Sequence, residues 1–166
     1  MTLYVVIPLL LLVSIAQTAL VPYLSIWGIF ADLPLLFVIS WGLLQGKRQG
    51  LLWGIIAGMS IDILSGAPFG AATLSLALVG FLVGLGQATV FRNHVALPLL
   101  SVFLATMLYN LAFLAIVSIL GQPVVWLDSM LRIVQPSAVL NALLLPLVFF
   151  PMRLFHQRFV KQEMEV

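Results

Sequence analysis

Residues 42–70 read GLLQGKRQGLLWGIIAGMSIDILSGAPFG, with glycine at every fourth position except one. Where this stretch is helical, positions four apart lie on nearly the same face, so the glycines form a groove that another helix can approach closely. The exception is Asp62, which places a carboxylate in line with the groove. In so apolar a chain, an acidic residue in line with a row of small residues either helps the helices to pack or belongs to a functional site.

The composition is that of an integral membrane protein. The chain has 166 residues, of which 63% are hydrophobic and 7% charged, whereas about 25% are charged in an ordinary soluble domain. No polar stretch is long enough to fold separately, so residues 1–166 are expected to form one transmembrane domain. Cysteine is absent, which excludes disulfides, thiolate nucleophiles and cysteine metal sites. We assign the net charge of +2 to membrane orientation and expect no nucleic-acid partner.

Six apolar segments predict an all-α bundle of six transmembrane helices. Their approximate bounds are 3–21, 33–46, 51–64, 71–90, 96–120 and 137–155. Only Arg132 of the seven basic residues falls in a loop on the opposite side from the others, which follow segments two, four and six: Lys47, Arg48, Arg92, Arg153, Arg158 and Lys161. Because basic loops stay in the cytoplasm, both termini are expected there.

Segments two and three form a short hairpin. Each has about 14 apolar residues and would be roughly 21 Å long as a helix, less than a hydrocarbon core of about 30 Å. The hairpin tip carries Lys47 and Arg48, which are expensive to bury in lipid, so the tip is expected to reach cytoplasmic water. Polar flanks, thinned lipid or a surrounding partner would supply the missing length.

Residues 122–135 have a different character from the spanning segments. Pro123 and Pro136 bound them, apolar residues recur at helical spacing, and Asp128 stands four residues before Arg132. With Trp126 nearby, the pattern predicts an interfacial helix on the outer face of the membrane. An irregular loop is the alternative.

Two aspartates stand near the outer ends of segments two and three. Asp32 precedes Pro34, a combination typical of a helix N-cap. Asp62 precedes the turn-rich Ser65–Gly70 stretch. Its carboxylate is a structural cap, a contact to a partner's basic or amide group, or part of a cavity lining.

Other polar and small residues in the apolar segments are predicted to join helices. Buried amides hold helices together by hydrogen bonds more often than they bind ligands. The candidates are Gln17, Gln87, Asn110 and Asn141, and the pair Gly80 and Gly84 indicates close packing.

The distribution of reactive residues argues against catalysis. His94 and His156 are predicted to be cytoplasmic, and Glu163 and Glu165 lie in the tail, so no histidine base, carboxylate pair or metal site is expected inside the membrane. We therefore expect no enzyme activity, cofactor or metal. The basic patch, comprising Arg153, Arg158 and Lys161 with His156, serves topology alone or binds anionic lipid or an acidic partner.

The stretch from Asp32 to Asn93 resembles the rod shape-determining protein MreD family. The resemblance rests on four strings, namely Asp32-Leu33-Pro34, Gly50-x-x-x-Gly54-x-x-x-Gly58-x-x-x-Asp62, Ile63-Leu64-Ser65-Gly66-x-x-x-Gly70 and Phe91-Arg92-Asn93. It implies a multi-pass bacterial inner-membrane protein of the elongation machinery, with a fold similar to the six-helix substrate-binding subunits (S-components) of energy-coupling-factor transporters. It also implies MreC as the main partner, a larger complex with MreB and peptidoglycan synthases, and no enzymatic activity.

These observations lead to one main functional hypothesis and two alternatives. The main hypothesis is a non-catalytic scaffold that maintains rod shape by binding MreC and helping to couple the MreB cytoskeleton to wall synthesis. Its other expected contacts are membrane lipid and, within the larger complex, a second copy of this chain. The alternatives are a solute-binding transporter subunit and a groove that handles a lipid precursor. The residues assigned to helix packing or partner contact are Asp32, Pro34, Gly50, Gly54, Gly58, Asp62, Ser65, Gly66 and Gly70. Residues 122–135 are a candidate docking surface.

Overall fold

The computed structural model describes residues 2–20, 31–86 and 96–159 of the chain. Over these residues the chain forms helices and turns and contains no strand. The α-helices are α1 (Thr2–Leu20), α2 (Leu33–Gln45), α3 (Lys47–Ser65), α4 (Ala71–Leu85), α5 (Ala96–Ile119), α6 (Trp126–Ser129) and α7 (Gln135–Phe159), with a π-helical turn at Met130–Val134. The all-α prediction is confirmed for this part of the chain.

Helix α2 lies at the centre of the molecule. Ten of its residues are buried, from Pro34 to Leu43, because its sequence is apolar on every face. Helix α1 packs on α3, α3 on α4, α4 on α5 and α5 on α7, and each of these helices also contacts α2. The shortest apolar helix is therefore enclosed by the others.

The hairpin of α2 and α3 turns at a single residue. Gly46 separates the two helices with φ 88°, a left-handed conformation that glycine adopts without a steric penalty. Helix α3 begins at Lys47, four residues before the predicted segment, because Lys, Arg and Gln are good helix formers and the apolar pattern alone does not mark the first turn. Lys47 and Arg48 are exposed at the tip.

The segment expected to form a separate interfacial helix is the start of the last long helix. Residues 122–125 are not helical, whereas α6, the π-helical turn and α7 follow one another without a break. Pro136 is the second residue of α7 and follows the π-helical turn directly, where the regular hydrogen-bond ladder is already interrupted. The proline that was expected to end the helix therefore lies within a continuous helical segment.

Two segments of the described chain are long and apolar enough to cross a membrane. They are Pro98–Ile119 and Trp126–Leu154, while α2 and α4 are apolar but shorter. The six-crossing topology and the likeness to S-components stay predictions.

The charged residues separate toward two ends of the molecule. Asp32 and Asn141 are hydrogen-bonded at the starts of α2 and α7, and α2 and α7 run from this end toward Gln45 and Arg153. Lys47 follows α2 directly, so it lies at the same end of the molecule as Arg153. Arg132, nine residues before Asn141, belongs to the opposite end.

Candidate functional site

The glycine groove of α3 is filled by α4. The two helices run antiparallel, and Gly50 faces Gly80, Gly54 faces Leu76 and Ala77, and Gly58 faces Thr73. Each step of four residues along α3 meets a step of three or four along α4, as antiparallel helices in close contact require. The seam, defined here as Gly50, Gly54 and Gly58 with their α4 neighbours, is therefore an internal contact.

The seam has no space for side chains. A Cβ atom added to Gly50 would lie 2.2 Å from the carbonyl oxygen of Gly80, and one added to Gly54 would lie 2.4 Å from that of Leu76. A Cβ on Gly58 would lie 2.2 Å from the Cα of Thr73. All three obstructing atoms belong to the α4 backbone, so even alanine would force the helices apart.

The carboxylate of Asp62 caps the N-terminus of α4. Its Oδ2 accepts hydrogen bonds from the backbone N–H of Gly70 at 2.9 Å, from the backbone N–H of Thr73 at 3.0 Å and from the hydroxyl of Thr73 at 2.6 Å. Its Oδ1 accepts one from the backbone N–H of Ala72 at 2.9 Å. Free N–H groups and the positive end of the dipole make this helix end favourable for a carboxylate.

This cap comes from a neighbouring helix, and its geometry corresponds to the structural alternative predicted for Asp62. Asp62 is buried, and both carboxylate oxygens accept hydrogen bonds from within the chain. Thr73 was not among the sequence-predicted site residues. Its position three residues after Gly70, where N-terminal caps find their donors, is the signal that could have identified it.

Glycines shape the turn between α3 and α4. Gly66 has φ 65° and Gly70 has φ 98°, and both have open space where a Cβ would be. They are required by backbone conformation, since other residues rarely adopt such angles, and not by close packing. The hydroxyl of Ser65 accepts a hydrogen bond from the backbone N–H of Ala67 at 3.4 Å, which makes it a local turn residue.

A second polar cluster holds the start of α2. Asp32 caps the helix, with its Oδ1 accepting from the backbone N–H of Leu35 at 3.1 Å, and Pro34 occupies the first turn. The side chain of Gln17 donates to the carbonyl oxygen of Ala31 at 2.7 Å and accepts from the N–H of Leu33 at 3.2 Å. The backbone on both sides of Asp32 is thereby tied to α1.

Asn141 completes this cluster from α7. Its Oδ1 accepts a hydrogen bond from the backbone N–H of Asp32 at 2.9 Å, and its Nδ2 donates to the hydroxyl of Thr106 in α5 at 3.4 Å. Asn141 and Thr106 are fully buried. Thr106 was missed by sequence reasoning because an isolated threonine in an apolar helix carries no pattern.

The half-buried carboxyl of Asp32 titrates unusually. Desolvation by burial raises its pKa from 3.8 to about 6, and the hydrogen bond from the Leu35 N–H acts in the opposite direction.

Among the described residues, no three of His, Cys, Asp and Glu are grouped so that they could hold a metal ion.

The two aspartates, the seam and the glycine turn thus occupy the positions that carry the sequence resemblance. Residues 1–159 match the family model described as rod shape-determining protein MreD. The chain belongs to the MreD family. The resemblance seen in the sequence is confirmed, and with it membership of a membrane protein family with a role in rod shape determination and no known enzymatic activity. A comparison with solved structures finds no match.

Within this MreD-family chain, the predicted basic patch is described only in part. Arg153 is exposed and lies at the same end as Lys47. Arg158 belongs to the last turn of α7, whereas Lys161 lies outside the described residues, as do Gln87, His94 and the Phe91-Arg92-Asn93 string.

Exposed apolar residues cluster around the π-helical turn. Asp128 and Arg132 form an exposed ion pair there, which is worth little to stability in water. The surrounding side chains, called the outer patch below, are 42–74% exposed: Val125, Trp126, Leu127, Leu131 and Ile133.

A cleft of about 210 Å³ lies between α4 and α5. Its walls are mainly leucine, valine and alanine, with the hydroxyl of Ser101 as a polar group. That hydroxyl donates to the carbonyl oxygen of Pro98 at 2.7 Å. The lining suits an acyl chain better than a polar solute.

Proposed function

We propose that this chain is a non-catalytic scaffold of the bacterial cell-wall elongation machinery, with MreC as its main partner. In this role it helps to couple the MreB cytoskeleton to the peptidoglycan synthases. Its main structural support is the set of hydrogen bonds to Asp62, whose carboxylate accepts four, from the backbone N–H groups of Gly70, Ala72 and Thr73 and from the hydroxyl of Thr73. A carboxylate held in this way organises a helix pair, which suits a rigid platform.

The proposed orientation places the chain in the inner membrane with both termini in the cytoplasm. Lys47, Arg48 and Arg153 share one end of the bundle, and Arg132 belongs to the other. Such an asymmetry favours the basic end on the cytoplasmic side. The outer patch then faces the region where the outer part of a bitopic partner emerges from the membrane.

We propose that the outer patch docks MreC. The seam glycines are already packed against α4, so a partner must use other surfaces. Leu127 is 74% exposed and Leu131 is 56% exposed, and four residues of helical spacing place them on the same face. Both lie at the start of the apolar Trp126–Leu154 segment, beside the exposed ion pair of Asp128 and Arg132, where an apolar surface of MreC would cover them.

The proposal can be tested by co-purification. Wild type, a Leu127→Ser/Leu131→Ser variant and Phe69→Ser would each be co-expressed with MreC, purified in mild detergent and quantified by mass spectrometry. Phe69 is 70% exposed in the α3–α4 turn and is a matched control at the same end. Loss of two contact residues is expected to reduce MreC recovery about tenfold, whereas the control retains it.

Two results would contradict the proposal. If wild type recovered no MreC, the scaffold role would fail. If the double variant recovered as much MreC as Phe69→Ser, docking at the outer patch would fail while the scaffold role stood. A stoichiometric small metabolite in the same samples would instead favour a transporter subunit.

A further inference from the structure

The cleft between α4 and α5 lies near the basic end of the molecule. Its α4 wall is formed by Leu82, Val83 and Gly86, in and just after the last turn of the helix. Gly84 lies between them in sequence, and a Cβ on Gly84 would touch the backbone of Lys47. At 3.6 residues per turn, Gly84 and the cleft face opposite sides of α4. Lys47 is therefore level with the cleft and about one helix diameter, or roughly 10 Å, away from it.

The size of the cleft suits a narrow occupant. Its volume is about 210 Å³, whereas an apolar cavity of about 150 Å³ in another protein holds benzene. On that scale the cleft has room for about eight carbon atoms. An α-helix with its side chains is about 10–12 Å across, and a site that encloses a drug-sized ligand has about 300–1,000 Å³. The cleft therefore admits a hydrocarbon chain or a single side chain, but not a helix or a whole polar ligand.

The lining of the cleft is apolar and open to the outside of the described bundle. Leu82 and Leu104 line the cleft and are also exposed on the surface of α4 and α5. Ser101 supplies the hydroxyl of the lining, but this group donates to the carbonyl oxygen of Pro98 at 2.7 Å. A hydrocarbon chain fits such a lining, because it needs no hydrogen-bond partner.

The basic end carries positive charge that the described carboxylates do not neutralise. Lys47 and Arg48 are exposed at the hairpin tip, and Arg153 is exposed at the same end. The carboxylates of the described residues are engaged at the opposite end: Asp32 caps α2, Asp62 caps α4 and Asp128 pairs with Arg132. Charge complementarity therefore favours, for the cleft, an occupant with an anionic head beyond the last turn of α4.

We propose that the α4–α5 cleft binds one acyl chain of an anionic phospholipid, whose phosphate group lies beside Lys47 and Arg48. The headgroup passes the last turn of α4 at the basic end. Long lysine and arginine side chains extend over apolar surface, which helps to span the roughly 10 Å between the tip and the cleft. They bind phosphate through charge-assisted hydrogen bonds. Phosphatidylglycerol has both the chain and the net negative charge, whereas phosphatidylcholine has the chain alone.

Native mass spectrometry of the full chain tests this site. The chain, purified in mild detergent and depleted of lipid, would be incubated with equal amounts of palmitoyl-oleoyl phosphatidylglycerol and phosphatidylcholine, and the bound lipids would be counted. Ser101→Leu places a larger side chain in the cleft, and Ser118→Leu makes the same change in α5 outside it. Arg48→Gln removes a charge at the tip, and Arg132→Gln removes one at the opposite end.

The expected result is one phosphatidylglycerol molecule bound to each wild-type chain, with less phosphatidylcholine. Ser101→Leu should weaken phosphatidylglycerol binding about tenfold, because the leucine displaces part of the acyl chain. Arg48→Gln should weaken it about fivefold through the loss of one charge near an anionic headgroup, and should leave phosphatidylcholine binding unchanged. Ser118→Leu and Arg132→Gln should bind both lipids as the wild type does.

Four outcomes would overturn the proposal. They are a wild type that retains no phosphatidylglycerol, equal binding of the two lipids by the wild type, equal binding by Ser101→Leu and Ser118→Leu, and equal binding by Arg48→Gln and Arg132→Gln. Circular dichroism in the same detergent checks that each variant is folded. If Ser101→Leu is not folded, Ala105→Leu fills the cleft from the next turn of α5.

Discussion

Gly50 and Gly80 exclude side chains from each other's position. A Cβ on either glycine would lie 2.2 Å from the carbonyl oxygen of the other. The contact is reciprocal, so neither helix can accept a larger residue by moving a flexible side chain aside. It fixes the separation of α3 and α4 at the value that also brings Asp62 to the start of α4.

The seam predicts unequal effects of the same substitution at two glycines. Gly54→Ala places a Cβ 2.4 Å from a backbone oxygen, whereas Gly42→Ala places its nearest contact at 3.2 Å. We expect Gly54→Ala to destabilise by about 1–3 kcal/mol through overpacking. We expect Gly42→Ala to be nearly neutral, because alanine's better helix propensity offsets the tighter contact.

Thermal unfolding of both variants in the same detergent, followed by circular dichroism, measures this difference. Met59→Leu, at an exposed position of α3, controls for substitution in the helix itself. Equal melting temperatures for Gly54→Ala and Gly42→Ala would show that α3 and α4 can move apart without loss of stability, and would contradict this prediction.

Removal of the Asp62 carboxylate should loosen the start of α4. Asp62→Ala leaves the N–H groups of Gly70, Ala72 and Thr73 without their acceptor. This should lower the free energy of unfolding by at least about 2 kcal/mol. Asp62→Asn keeps one oxygen acceptor and should lose less. Thr73→Val removes only the hydroxyl donor and should have the smallest effect.

Amide hydrogen exchange checks this order directly. Exchange in residues 70–73 should accelerate most in Asp62→Ala and least in Thr73→Val, while exchange in α5 stays unchanged. Unchanged protection in Asp62→Ala would mean that α4 needs no cap from α3.

The glycine spacing and the apolar segments are the sequence signals behind the seam and its helices, and both depend on local periodicity. The fourfold glycine spacing marked the face of α3, and Asp32 with Pro34 marked the start of α2. The partner of the seam was not determined by the same signal, since a glycine groove accepts a helix of the same chain or of another. The choice of α4 depends on Gly80, Ala77 and Thr73 together.

Register changes within a helix carry a weaker sequence signal. Pro136 reads as a boundary, yet the helix continues through it. The π-helical turn Met130–Val134 comes directly before the proline, so Pro136 lies where the regular i→i−4 hydrogen-bond ladder is already interrupted. The hydroxyl of Ser137, which donates to the carbonyl oxygen of Ile133 at 2.6 Å, satisfies an acceptor there.

Stability is predicted to depend on pH through Asp32. Its pKa is about 6 in the folded chain against 3.8 for an ordinary aspartate, so the folded state holds the proton more tightly. Lowering the pH from about 7 to about 5 should therefore raise the melting temperature, with little further gain from this group below its unfolded pKa.

Asp32→Asn is the matched control for this effect. Asparagine is also a good N-cap, so the variant keeps the hydrogen bond to Leu35 and removes the titration. Between pH about 7 and about 5, its melting temperature should rise less than that of the wild type, because the Asp32 carboxyl is no longer there to take up a proton. An identical pH profile in wild type and Asp32→Asn would contradict the assignment.

Asn141 is predicted to matter more than Asn110. Asn141→Ala leaves the backbone N–H of Asp32 without an acceptor and should cost about 1–3 kcal/mol. Asn110 donates to the carbonyl oxygen of Thr106 in its own helix, at 2.9 Å, and joins no second helix among the described residues, so Asn110→Ala should cost less. Urea-induced unfolding in detergent measures the free energy of unfolding of both variants. Equal losses would show that the hydrogen bond between α2 and α7 adds nothing to stability.

The hydrogen bond between Asp32 and Asn141 joins residues 109 positions apart. During synthesis the central helix α2 leaves the ribosome long before the side chain that completes its first turn. At about 5–20 residues per second, that interval is roughly 5–20 s. The backbone N–H of Asp32, at the start of the innermost helix, therefore gains its acceptor only after the last described helix has been made, which makes translation of α7 the step that completes this end of α2.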